Sequence, residues 1–411
     1  MGQSGCRSCG ATLERTLIDL GMSPLANSYI KPDQLNRMEP FYPLHVYVCE
    51  KCLLVQLKQF AAPHDIFSDY AYFSSFSDSW LAHAKAYVDM IVGRFGLDRS
   101  SKVVEIASND GYLLQNFVSR GISALGVEPA SNIAEVAKKK GIQTKVAFFG
   151  ENTARDVAAD GWAADLIIGN NVLAHVPDLN DFVKGLKVLL KPTGLITMEF
   201  PHLLQLMQQN QFDTIYHEHF SYFSFLAVEQ VFARHGMKLF DVEELSTHGG
   251  SLRIYACHND DTSKPVQARA KELKSREETA GFGRLNHYLS FGPRVEATKR
   301  KVLSFLISAK QEGKHVVGYG APAKGNTLLN YCGIRTDLID YTVDRSPHKQ
   351  GHFLPGVHIP IYGPERVRDT RPDYLLILPW NIREEVMQQM SYVREWGGKF
   401  VVPIPEVQVY S

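Results

Sequence analysis

The stretch KVVEIASNDGY, Lys102 to Tyr112, is an apolar run that stops at a turn of small residues and gives way to a helical pattern. Downstream, GISALGVEP (Gly121 to Pro129), DLIIGNNV (Asp165 to Val172) and GLITMEF (Gly194 to Phe200) repeat the apolar run, with helical stretches such as Asn132 to Lys140 between them. Alternation of this kind predicts a parallel, doubly wound sheet. Strand signals return in KHVVGYG, LIDYTVD, DYLLILP and KFVVPIP between Lys314 and Pro405, which predicts a second, smaller parallel sheet. Between about Ser263 and Gly313 the chain is polar and helical, a bridge to that sheet. Upstream, a helical pattern from Ser79 to Phe95 opens the central region, and the residues before it carry two cysteine pairs among short strand-like runs. The expected architecture is α/β in three parts. These are a small N-terminal metal module (1–75), a central Rossmann-like domain (76–262), and a helical bridge with a C-terminal Rossmann-like domain (263–411).

With 411 residues, the chain exceeds one ordinary core. Lys plus Arg and Asp plus Glu are 44 each, so no broad basic field exists to hold nucleic acid or an anionic membrane, and a small-molecule partner is expected. No stretch approaches the roughly 20 apolar residues of a membrane span, and Met1 to Cys6 lacks the regions of a signal peptide. A cytoplasmic location is the expectation. Oligomeric state is left open.

Cys6-x-x-Cys9 and Cys49-x-x-Cys52 each place two thiols on one tight turn, the geometry that closes a four-thiolate zinc site. With no open ligand position, such a zinc is structural; two unrelated turns or a redox pair are the alternatives. Cys257 and Cys332 lie in apolar surroundings and read as core.

The turn after Ile106 sits where a doubly wound sheet binds nucleoside ligands. Glu105, Ala107, Asn109 and Asp110 are candidate cofactor contacts, although Ala107 and Ser108 stand where glycines are usual. Glu128 and Pro129 end the next strand, about twenty residues on, where a carboxylate accepts hydrogen bonds from ribose hydroxyls. Asn170 and Asn171 reach the same edge from a third strand. Together these favour S-adenosylmethionine over NAD, whose pyrophosphate wants the fuller glycine turn.

Tyr216-His217-Glu218-His219 packs an acid, two imidazoles and a phenol into one segment. It lacks the i, i+4 histidine pair of a helical metal site, and acid and base work fits better, with the carboxylate orienting the adjacent imidazole. Near the C-terminal sheet, Tyr319-Gly-Ala-Pro-Ala-Lys324 reads as strand, turn and helix start that could cradle a phosphate, with Lys349 a further polar contact or part of a solvated loop. It does not match a Walker loop.

The whole chain resembles the zinc-containing sugar C-methyltransferases that act on dTDP-4-keto-deoxysugars. The resemblance runs through the CxxC pairs, Asp19 to Tyr29, DYAYFSSFS (Asp69 to Ser77), EIASNDG, GVEP, NNVLAHV, IYHEHFSYF, HGGSLR, GYGAPAKGNTLLNYCG, and the terminal Pro-Trp-Asn and Pro-Glu motifs. It implies a C-terminal domain that helps hold the nucleotide sugar, and His219 as catalytic base with Glu218 and Tyr216 beside it. It also implies that Tyr70 or Tyr72, together with His175, contacts the sugar. His217 receives no catalytic role, since some relatives have Asp there. Two rivals remain at this stage: an O- or N-methyltransferase on the same cofactor domain, and a non-catalytic or NAD-linked sugar-binding protein.

Overall fold

The computed structural model of the protein describes residues 5–60, Ser75 and residues 78–411. It divides into two compact units, each built from separated stretches of chain. The first comprises residues 1–13, 49–202 and 220–283, and the second residues 14–48, 203–219 and 284–411.

The first unit is organised on a seven-stranded sheet: β1 (Lys102–Ile106), β2 (Ser123–Glu128), β3 (Gln143–Val146), β4 (Ala164–Asn170), β5 (Leu190–Pro201), β6 (Met237–Leu245) and β7 (Ser251–His258). Their order is 3-2-1-4-5-7-6, parallel except for β7, which runs antiparallel to both its neighbours. The order reverses between β1 and β4, so the carboxyl ends of those strands open the crevice in which such sheets bind ligands. Helix α1 (Asp78–Phe95) buries Ala84, Tyr87, Val88 and Ile91, a single helical stripe, in one core with Val103, Leu113 and Phe117. Helix α2 (Ser131–Lys139) follows β2, and α3 (Leu179–Leu189) is capped by Asp178, which accepts the Asp181 N–H at 3.0 Å. Helix α4 (Phe225–Ala233) is capped by Ser224 and by buried Glu277 of α5 (Ala268–Ala280), which accepts the N–H groups of Phe225 and Leu226 at 2.7 and 2.9 Å.

The second unit holds the antiparallel pair Arg15–Ser23 and Tyr42–Val48 and the C-terminal sheet. That sheet consists of β8 (Val316–Tyr319), β9 (Thr342–Val343), β10 (Ile361–Tyr362), β11 (Tyr374–Ile377), β12 (Lys399–Val402) and β13 (Gln408–Tyr410). Its order is 10-9-8-11-12-13, parallel but for the last strand, with a second switch point between β8 and β11. Helix α6 (Phe291–Gln311) lies in the polar stretch before β8, and α7 (Ala323–Cys332) follows β8 and stops at Gly333, whose φ of 71° suits glycine. Residues 203–219 belong here because they are tied to these helices: Asn210 Nδ2 donates to Thr298 Oγ1 at 2.7 Å, and Thr327 Oγ1 to the Ile215 carbonyl at 2.8 Å. Each compact unit gathers stretches that are far apart in the chain, because burial is settled in space rather than along it. Cys257 and Cys332 are buried core residues, as their surroundings predict.

Candidate active site and metal centre

The four N-terminal cysteines meet in the first unit. Their Sγ atoms all lie within 4.8 Å of one another, with Cys6–Cys52 and Cys9–Cys49 each at 3.5 Å. A tetrahedral zinc with Zn–S bonds of about 2.3 Å holds its sulfurs about 3.8 Å apart, so this donor set fits the ion. Each pair sits on a tight turn: Gly10 N–H bonds the Cys6 carbonyl, Leu53 N–H bonds the Cys49 carbonyl, and Gly10 and Leu53 both take positive φ. The Cys6–Cys52 contact lowers the Cys6 thiol and raises Cys52, and burial raises Cys49. Thiols this close ionise together only when a cation joins them.

At the end of β1 the chain adopts the conformations that a glycine turn would supply, but with other residues. Ala107 has φ of 54°, Asn109 50° and Gly111 77°. Such backbone costs an L-residue about 1–2 kcal/mol and persists where surroundings enforce it. Opposite, Gly126 of β2 leaves room for the turn: a Cβ there would stand 2.3 Å from Ser108 Oγ. Glu128 anchors the loop through the N–H groups of Asn109 and Ala130, both at 2.9 Å, and burial raises its carboxyl above the usual range. Pro129 follows it, half-buried. Each carboxylate oxygen keeps a second lone pair, as a ribose contact requires. Asn170, at the end of β4, has both side-chain polar atoms buried close to the Tyr112 hydroxyl, and Asn171 takes φ of 54°. This strained, polar strand edge fits the nucleoside and amino-acid parts of S-adenosylmethionine. Two expected contacts are held within the fold. Asp110 Oδ2 accepts from Lys140 at 2.9 Å and from Ser75, while Oδ1 is buried with no partner among the described residues. Glu105 is wholly buried within β1, and burial, then Glu128 and Asp110, push its carboxyl well up, which favours the neutral acid.

The acid-imidazole segment lies in the second unit. His219 is buried, and its Nδ1 lies 2.9 Å from the Thr214 carbonyl. A carbonyl only accepts, so Nδ1 carries the proton and Nε2 is the basic nitrogen. The Tyr216 ring lies 4.1 Å from the imidazole, centroid to centroid. The adjacent carboxylate does not supply the orientation that sequence reasoning assigned to it: Glu218 accepts instead from Asn27 Nδ2 at 2.7 Å, and burial pushes it up to about 7. Burial lowers His217, keeping it neutral against the edge of Tyr42. His175 belongs to the first unit, on a short turn after β4 (Leu173–His175). Tyr70 and Tyr72 lie outside the described residues.

At the second switch point, Lys324 in the first turn of α7 donates to Asn381 Oδ1 at 2.8 Å, with its ammonium over the Trp380 ring. Burial lowers Lys324, partly offset by Asp213, a fully buried carboxyl raised to about 7 by burial that accepts from Trp380 Nε1 at 2.7 Å. Lys349 donates to the Ala321 carbonyl at 3.0 Å, and Tyr319 OH to Gln389 at 3.0 Å. Asp344 already accepts the Ala321 N–H at 2.8 Å, so an anion in this loop would meet a carboxylate. Asn27, Asp213, Thr214 and Trp380 escaped sequence reasoning. Asn27 and Trp380 lie within motifs that carried the resemblance, and those motifs were the available signal.

Comparison with known proteins gives a zinc-binding domain at residues 6–67, a methyltransferase domain at 80–242 and a C-methyltransferase C-terminal domain at 246–405. C-methyltransferase NovU from Streptomyces niveus is 36% identical over 406 residues, covering 99% of this chain and 96% of that protein. The chain belongs to the C-methyltransferase family. This C-methyltransferase uses S-adenosylmethionine as methyl donor and carries zinc at its four-cysteine cluster. A shorter likeness links the methyltransferase to the ubiquinone biosynthesis O-methyltransferase of Bartonella bacilliformis, 30% identical over 96 residues, or 23% of this chain and 39% of that protein. Among solved structures, magnesium protoporphyrin IX methyltransferase from Synechocystis PCC 6803 with bound SAM matches at a TM-score of 0.33 and 13% identity, covering 43% of this chain and 79% of its own. Among the described residues of the methyltransferase, no helix is long and apolar enough to cross a membrane.

Proposed function

We propose that this C-methyltransferase methylates C3 of a nucleotide-linked 4-keto-deoxysugar, dTDP-linked in the family it resembles, with His219 as base and the cytoplasm as its place of work. The observation that carries the reading is the Nδ1 hydrogen bond of His219 to Thr214, which fixes the tautomer and leaves Nε2 as proton acceptor. Carbon becomes nucleophilic here by losing a proton beside a carbonyl. The 4-keto group acidifies C3, Nε2 takes the proton, and an enolate results. Tyr216, His175 and Tyr70 or Tyr72 hydrogen-bond the oxygen on which charge develops. Glu218, raised to about 7 by burial, carries less negative charge beside His219 than an ordinary carboxylate would. Tyr319, Lys324 and Lys349 are assigned to the nucleotide end of the substrate. The loop from Ala107 to Gly111, Glu128 and Asn170 hold the donor, which supplies the electrophilic methyl that the enolate carbon takes. Zinc has no step in the chemistry.

The test is incubation with methyl-deuterated S-adenosylmethionine and a panel of dTDP-4-keto-deoxysugars, followed by NMR of the products. A labelled methyl on quaternary C3 supports the whole reading. A methyl on oxygen or nitrogen sinks the enolate.

A further inference from the structure

Arg7 stands between the two cysteines of the first metal-binding turn, yet its side chain turns away from them and is buried. Its guanidinium donates to three main-chain carbonyls from three separate segments of the first unit: Pro177 from Nε at 3.1 Å, and Leu57 and Phe220 from Nη1, the latter at 3.3 Å. It also lies over the Phe220 ring, 5.2 Å from the centroid. The main chain of these segments is also linked directly: Leu57 N–H donates to the Phe220 carbonyl at 3.0 Å, and Phe220 N–H to the Ala174 carbonyl at 2.7 Å. Gln56, itself fully buried, closes the arrangement on the metal side by accepting the Arg7 N–H at 2.9 Å and donating to Cys6 Sγ at 3.1 Å.

Burying a guanidinium is costly unless opposite charge is near, and no carboxylate pairs with Arg7 among the described residues. Its charge is met instead by the dipoles of the three main-chain carbonyls. What Arg7 grips is also particular. Phe220 follows His219 directly in the chain, and Pro177 lies two residues after His175.

We propose that Arg7 is a positioning residue for methyl transfer, through which the metal-binding turn fixes the main chain next to the two histidines assigned to the sugar. The inference rests on that assignment. It gives the zinc module a purpose beyond holding the N-terminus together: the metal-binding turn places Arg7, and the guanidinium ties three separate segments of backbone to one another.

The test compares Arg7→Met and Arg7→Lys with the unmodified enzyme by metal content, thermal melting, amide hydrogen exchange and steady-state kinetics. Arg7→Met is expected to retain zinc and an unchanged KM for S-adenosylmethionine while kcat falls by about tenfold or more, the scale on which small misplacements act. Exchange at the Leu57 and Phe220 amides should rise, with residues 103–112 unchanged. Lysine, a point charge without the fork, should recover part of kcat. The inference is overturned if kcat stays within about twofold of the parent with zinc retained, or if kcat falls only in step with lost zinc, lower melting and exchange raised everywhere. Should Arg7→Met fail to fold, Arg7→Lys decides by the same readouts. His219→Asn runs in parallel: full turnover there removes the base assignment and with it this inference, whereas an inactive His219→Asn beside a normal Arg7→Met removes the positioning role alone.

Discussion

The Nδ1 atom of His219 lies 2.9 Å from the carbonyl oxygen of Thr214, five residues earlier in the chain. The partner is main chain, so no substitution at position 214 short of a backbone change removes it, and the imidazole keeps one tautomer. An asparagine at 219 retains a donor for the same carbonyl but has no basic nitrogen. His219→Asn is therefore expected to fold and bind S-adenosylmethionine normally while kcat drops by roughly 10²- to 10⁴-fold. Isothermal titration with the donor and a turnover assay check both halves, and loss of C3 deuterium exchange in the variant identifies the missing step.

Glu218 gives the stability of the second unit a pH dependence of known sign. Its folded value of about 7 lies above the ordinary 4.5, so the folded chain holds this proton more tightly than the unfolded one. Stability from the group is fully present below about pH 4.5 and is lost as pH rises through about 7. Glu218→Gln keeps the acceptor for Asn27 and abolishes the titration. Relative to the parent, the variant should gain stability between pH 5 and pH 8, by roughly 3 kcal/mol at most. Denaturant melts at the two pH values measure it, and an equal difference at both contradicts the assignment.

Gly126 tests the donor loop from the opposite strand. A methyl at that position meets Ser108 Oγ at 2.3 Å, so Gly126→Ala must displace the turn that carries Ala107 and Asn109. The expected result is a KM for S-adenosylmethionine raised by about tenfold, with C3 exchange by His219 little changed. Combining it with Ser108→Ala, which removes the clashing oxygen, should restore part of the affinity.

Cys52→Ser removes one of four metal donors and leaves three thiols around a weak hydroxyl. The variant should lose zinc on mild chelation and melt at lower temperature, since metal binding energy is folding energy in such modules. Mass spectrometry of the native protein reads the metal directly. An unchanged melting temperature with metal absent would remove the structural role of the ion.

Much of this was legible in residues. The two sheets declare themselves because parallel strands buried on both faces read as unbroken apolar runs, as in KVVEI and YLLI. The cysteine spacing announces its cluster because thiol pairs on tight turns have few other uses. Backbone chemistry was not legible: the partner of His219 is a carbonyl that every residue possesses. Nor did Asp110 betray that Lys140 would claim it, because that pairing depends on where α2 ends in space. Nothing in the sequence around Arg7 marks it as buried, and its burial follows only from the three carbonyls that converge on it.

The order in which this chain leaves the ribosome sets a condition on its assembly. The strand pair Arg15–Ser23 and Tyr42–Val48 is made well before residues 284–411, which the same unit also needs. At about 5–20 residues per second, those early strands wait roughly twenty seconds or more for their neighbours. The first unit faces a shorter delay, since its final stretch ends at residue 283. No single cut separates the two units, and a nascent chain must shelter its early strands until residues 284–411 follow.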